Sequence, residues 1–177
     1  MSGSFTNIGL FLINTVFDLY ITLLIVRLIL AFSRADYFNP ITRFIITVTQ
    51  PIIAPLRRII PNRFGIEFST LIFILALEIL KFFLISLLFF SALNIAGLVL
   101  FATIDTLKHI LNIFFYAILL QAILSWIQTG YSPLSQVLAQ LTTPILRPLR
   151  RFVPPVGGFD LTPIPALIIL QCLLLLL

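Results

Sequence analysis

The chain has 177 residues, of which 60% are hydrophobic and only 10% charged, with a net charge of +5. Soluble domains carry about a quarter charged residues, so this chain lacks the polar side chains to cover a water-facing surface. That excludes a soluble globular domain and points to an all-α membrane protein. Cys172 is the only cysteine and His109 the only histidine. Neither an intramolecular disulfide nor a Cys/His metal cluster is expected, and no cofactor is implied. His109, beside Lys108 at the expected start of a helix, reads as an interfacial histidine.

A membrane-spanning helix needs about 20 apolar residues. The N-terminal "MSGSFTNIGL" has neither a basic n-region nor a small-residue cleavage site. The first apolar stretch, about residues 8–33, therefore reads as a retained span rather than a signal peptide. The second predicted span covers about residues 68–92, the third 106–127 and the fourth 162–177. The apolar region from Phe68 to Thr103 is too long for one span. The second span is therefore ended near Asn94 and Gly97, and "IAGLVLFAT" is read as an interfacial or partly re-entrant turn. The fourth span is short and closes on "LLLLL": either it crosses a thin place or the natural chain continues beyond Leu177.

Between spans one and two lie Arg34, Arg43, Arg57, Arg58 and Arg63; between spans three and four lie Arg147, Arg150 and Arg151. Against these stand only Asp36, Glu67 and Asp160, so the two loops hold the whole net charge. The positive-inside rule makes both loops cytoplasmic. Tyr37, Trp126 and Tyr131 fall near the inner ends of spans one and three, where aromatic anchors belong.

The two loops are copies of each other. A shift of 93 residues lays Pro51, Pro55 and Pro61 on Pro144, Pro148 and Pro154. The same shift lays Arg57 and Arg58 on Arg150 and Arg151, Gly65 on Gly158, Glu67 on Asp160 and Ser69 on Thr162. Upstream the shift becomes 94, pairing Tyr37 with Tyr131 and Phe32 with Trp126. The chain therefore divides into two repeats, residues 1–97 and 98–177, with two spans each. An even number of spans keeps both copies in one orientation, about a pseudo-two-fold axis along the membrane normal.

The copies read "NPITRFIITVTQPIIAPLRRIIPNRFGIEFST" and "SPLSQVLAQLTTPILRPLRRFVPPVGGFDLTP". They resemble the repeat of the YggT (YlmG) family, roughly NP…TxPilxPlRrxiPxxggiDlSP, over nearly the whole chain. Two copies in one chain look like the proteobacterial form. Glu67 and Thr70 depart from the Asp and Pro of that pattern. The resemblance implies a multi-pass protein of the bacterial inner membrane. Plastid relatives are linked to cytochrome b6 assembly and nucleoid organisation, bacterial ones to division-site organisation and osmotic stress.

Asn39-Pro40 and Ser132-Pro133 read as N-cap plus N1 proline. Ile41, Phe44, Ile45, Val48 and Ile52 then fall on one helix face, as do Leu134, Val137, Leu138, Leu141 and Ile145. An amphipathic helix along the inner membrane surface is expected in each repeat. Pro51 and Pro55, like Pro144 and Pro148, are expected to break it into a rigid elbow. A short turn carrying the arginine pair follows, with Glu67 or Asp160 in reach. Arg57, Arg58, Arg150 and Arg151 then either grip anionic lipid phosphate or an acidic partner, or only fix topology. No long basic run points to nucleic acid.

Four charges lie inside predicted spans: Asp18, Arg27, Glu78 and Lys81. Glu78 and Lys81 share a helix face, Asp18 and Arg27 do not, and Arg27 is expected to snorkel to the inner surface. The second repeat carries Asn112, Gln121, Gln171 and Leu174 at these positions. The cluster reads as glue between helices, as a polar path for an ion or proton, or as a contact surface for another membrane protein. Ser125 and Ser132 have no catalytic partner in sight, so no enzyme is expected. The expected function is an inner-membrane scaffold or assembly factor organising lipid or protein partners. The competing expectation is an ion channel or transporter-like oligomer.

Overall fold

The computed structural model describes residues 2–60, 67–89, 94–127, 132–153 and 160–177. Pro61, Arg63, Gly65, Tyr131, Pro154, Gly158, the end of the second predicted span past Phe89 and the side chain of Trp126 lie outside the described residues. Within them the chain is all-helical: α1 (Ser2–Phe32), α2 (Pro40–Ile59), α3 (Phe68–Phe89), α4 (Ile95–Ile127), α5 (Pro133–Leu149) and α6 (Pro163–Leu176). Three of these, over Thr6–Phe32, Phe68–Phe89 and Ile95–Ser125, are long and apolar enough to cross a membrane. The fourth predicted span corresponds to α6, whose 14 residues reach about 21 Å, short of the roughly 30 Å hydrocarbon core.

The expected turn at 95–103 is corrected. α4 runs without a break from Ile95 to Ile127, 33 residues. A single glycine costs a helix only about 1 kcal/mol, and a Cβ at Gly97 would meet nothing within 4 Å, so nothing there forces the chain to turn. The excess apolar length after Phe68 belongs to two helices rather than to one span and a turn.

The elbow is also corrected. α2 continues through Pro51 and Pro55, and α5 through Pro144 and Pro148. In α2 the two missing N–H groups would have bonded the carbonyls of Thr47 and Pro51. Both residues are exposed, so the freed acceptors lie on the outward side and the inward face stays intact. That inward face is Thr42, Ile45, Thr49 and Ile53, a different face from the apolar stripe expected against the membrane. Of that stripe only Ile45 is buried; Phe44, Val48 and Ile52 point outward, Phe44 being 61% exposed. In α5 the packed face is Val137, Leu138, Leu141, Thr142 and Leu146, close to expectation, with Leu134 left outside.

Each repeat packs the same way. α1 lies on α3 and α2, and α4 lies on α6 and α5, while α3 against α4 joins the halves. One apolar cluster is built from Ile21, Leu24, Ile25, Ile74, Ala117 and Leu138, and a second from Ile118, Leu146, Ala166 and Leu170. α1 closes with Ala35 N bonded to Leu30 O at 2.9 Å around Arg34, whose φ of 51° is the left-handed conformation of a helix-end turn.

The N-caps are as expected. Asn39 Oδ1 accepts from Ile41 N at 2.9 Å, and Ser132 forms a capping box with Ser135. Asn39 also ties the repeats together, donating to Pro133 O at 2.8 Å and Gln136 Oε1 at 3.0 Å. Asn39→Ala is expected to destabilise the protein by about 2 kcal/mol, the upper end for a lost cap, since two inter-repeat bonds go with it. Asn39→Asp, which keeps the acceptor, should recover part of that in thermal unfolding in detergent.

Candidate functional site

The deepest charges are drawn to one point by three helices. α3 supplies Glu78 and Lys81 one turn apart, α1 supplies Asp18, and α4 supplies Asp105 and His109. Lys81 Nζ lies 3.0 Å from Asp18 Oδ1, 2.6 Å from Glu78 Oε2 and 2.6 Å from Asp105 Oδ2. His109 Nδ1 lies 3.1 Å from Glu78 Oε1, and its Nε2 is 3.7 Å from Asp18 Oδ1. Glu78 is fully buried and Lys81 2% exposed, while Asp18, Asp105 and His109 are half-buried. Ions at such depth require partners, and here one ammonium serves three carboxylates.

Asp105 and His109 are the residues that sequence reading missed. The third predicted span, 106–127, leaves Asp105 outside and His109 near its start, whereas α4 begins at Ile95 and carries both well inside the helix. Their i, i+4 spacing on an unbroken helix was the available signal. Glu78, Asp105 and His109 also hold their ligand atoms within 4.8 Å of one another. A metal ion there would compete with the Lys81 ammonium, which already sits 2.6 Å from both carboxylates.

A second polar centre lies near the C-terminal end of α1 and the N-terminal end of α3. Arg27 does not snorkel; it is 4% exposed because α2 folds under α1 and brings its own acceptors. Arg27 donates to Thr49 Oγ1 at 2.7 Å, Gln50 Oε1 at 2.8 Å and Glu67 Oε2 at 3.1 Å. Glu67 also pairs with Arg57 and accepts from Thr70 Oγ1 at 2.8 Å. A cavity of about 260 Å³ borders Arg27, Gln50, Arg57 and Glu67.

The second repeat reproduces part of this. Thr142, the counterpart of Thr49, donates to Gln121, the counterpart of Arg27. Arg150 donates to Asp160 Oδ2 through Nε at 3.1 Å and Nη2 at 2.9 Å. The structure does not bring Asn112, Gln121 and Gln171 together: Asn112 lines the cavity beside Asp18, and Gln171 is exposed. Arg58 and Arg151 are exposed and make no ion pair among the described residues.

The model of the family described as CCB3/YggT matches residues 6–88 and again residues 100–177. The chain belongs to the CCB3/YggT family. An uncharacterized Vibrio alginolyticus protein from the proC 3′ region is 41% identical over 163 residues, covering 91% of this chain and 88% of that protein. Escherichia coli K12 YggT is 38% identical over 162 residues, 90% of this chain and 84% of its own. A chloroplastic YlmG homolog protein 2 of Arabidopsis thaliana is 34% identical over 78 residues, 44% of this chain and 30% of that protein. No solved structure matches.

Each YggT segment thus holds one arginine–acid staple ten residues long, Arg57 to Glu67 and Arg150 to Asp160. The two differ in burial. Partial burial alone would raise the Asp160 carboxyl, but hydrogen bonds from Thr162 and Arg150 outweigh it and hold the group below its ordinary 3.8. A lowered carboxylate adds stability that is complete above the unfolded value and is lost as pH falls through the folded one. The stability difference between wild type and Asp160→Asn should therefore be constant above about pH 5 and shrink only at more acidic pH, readable from paired melting curves.

Proposed function

We propose that this YggT protein is a non-enzymatic scaffold or assembly factor of the bacterial inner membrane. In this reading α1, α3, α4 and α6 are four membrane spans. α2 and α5 lie along the cytoplasmic surface, and the arginine loops meet anionic lipid or an acidic protein partner. The carrying observation is a division of labour found twice. The first arginine of each pair is tied to an acid ten residues on, while the second is exposed and has no ion pair among the described residues. Beside each free arginine stands an exposed apolar residue, Ile59 at 78% and Phe152 at 82%. An arginine next to a large apolar side chain fits a headgroup region, where the fork takes phosphate and the neighbour enters the acyl boundary.

Arg58→Gln with Arg151→Gln tests it. Binding to vesicles containing phosphatidylglycerol should weaken, and labelling of cysteines introduced at 58 and 151 by an impermeant maleimide should occur only from the cytoplasmic side. Unchanged lipid binding with correct topology would eliminate the lipid grip and leave only the protein partner. The competing reading is an ion-conducting oligomer active in osmotic balance. A cavity of about 480 Å³ beside Asp18 and Asp105 favours it, and the enclosure of Glu78 and Lys81 opposes it.

A further inference from the structure

α1 and α4 are the equivalent helices of the two repeats, and a shift of 94 pairs Asn14 with Lys108, Asp18 with Asn112, Thr22 with Tyr116 and Val26 with Leu120. All eight side chains line two adjoining cavities, about 480 and 490 Å³, whose walls share His109 and Asn112. A spacing of four along both helices is one stripe on each. The two cavities therefore follow the seam between the repeats as a single groove, with matching positions on its two sides.

The ends of the groove differ in chemistry. One end carries Asn14, Asp18, Asp105 and Lys108. The other carries Val26, Leu120, Leu138 and Leu141. At the polar end much bonding capacity is unused. Lys108 makes no ion pair among the described residues, and the side chains of Asn14 and Asn112 make no hydrogen bond there. Asp18 and Asp105 each turn a single oxygen to Lys81, Oδ1 and Oδ2 respectively, leaving the other oxygen without a partner among the described residues. An occupant must offer N–H donors to two carboxylates, negative charge to one ammonium, and a hydrocarbon chain to the apolar end. A lipid with phosphate but no amine would bring its charge against Asp18, Asp105 and Glu78. A neutral lipid would leave Lys108 uncompensated in an apolar setting.

We propose that the seam between the repeats binds one aminophospholipid, its ammonium on Asp18 and Asp105, its phosphate on Lys108, and an acyl chain along Val26, Leu120 and Leu138. This site is separate from the arginine surface of the loops and stands or falls independently of the scaffold reading. The full chain, purified in mild detergent and stripped of lipid, is exposed to an equal mixture of dioleoyl phosphatidylethanolamine, phosphatidylcholine and phosphatidylglycerol. Native mass spectrometry then counts what each molecule retains. One phosphatidylethanolamine should be retained in preference to the other two by about tenfold, since choline lacks N–H donors and glycerol lacks the cation. Lys108→Gln, outside the buried ion cluster, removes the phosphate contact and should lower retention of phosphatidylethanolamine severalfold. Val26→Trp, which fills the apolar end, should abolish retention of all three. Equal retention of the three lipids, preference for phosphatidylglycerol, or retention unchanged by both substitutions would overturn the proposal.

Discussion

Lys81→Met is expected to lower stability by about 3–5 kcal/mol, the cost of removing one member of a buried ion pair. Most of the effect comes from Glu78, which is fully buried; Asp18 and Asp105 are partly open and their share is reduced by screening. A folded state is worth about 5–15 kcal/mol, so a loss of this size removes a large fraction of the margin. Thermal unfolding in detergent reads it as a melting point lowered by many degrees. Lys81→Met combined with Glu78→Gln should recover more than half of the loss. The amide leaves no stranded charge and keeps an acceptor for His109, 3.1 Å away in the wild type. If Lys81→Met melted like the wild type, the ammonium would not be what holds the three carboxylates.

The second large effect sets the repeats against each other. Glu67 binds Arg27, Arg57 and Thr70 from a buried position, so Glu67→Ala leaves the Arg27 guanidinium inside the protein with only Thr49 and Gln50 as acceptors. The expected loss is again about 3–5 kcal/mol. Asp160→Ala removes the equivalent acid, but that pair is open to solvent, and its loss should not exceed about 1 kcal/mol. The same substitution at corresponding positions thus gives unequal answers, because Gln121 replaces Arg27 and needs no counter-charge. Equal melting-point shifts in the two variants would contradict the burial difference between the two acids.

Much of this was legible in the sequence because it is written twice. The shift of 93 places the proline and arginine positions of one loop on those of the other, and the N-caps Asn39 and Ser132 are marked by the prolines behind them. The reach of Glu67 and Asp160 to the arginines also followed from spacing. The rest depended on contacts that sequence distance hides. Asp105 and Asp18 meet at Lys81 only because α1, α3 and α4 converge, and His109 joins them one turn beyond Asp105 on α4. The inward face of α2, Thr42, Ile45, Thr49 and Ile53, could not be read from the sequence, because Thr49 turns inward to accept from Arg27 on another helix. Hydropathy ranks threonine low, yet a buried guanidinium needs the threonine oxygen as an acceptor. The prolines were misjudged for a related reason: in α2 their missing donors fall on the outer side, where a helix tolerates them.

Whether the deep cluster holds helices together or passes ions is decided most directly by cation flux through the purified chain in sealed liposomes. With Glu78 and Lys81 closed into one ion cluster, flux of sodium, potassium or protons should not exceed the leak of empty liposomes, and Asp18→Asn should change nothing. A flux well above that leak, abolished by Asp18→Asn in a protein that remains folded, would contradict the scaffold and make the cluster part of a conducting path.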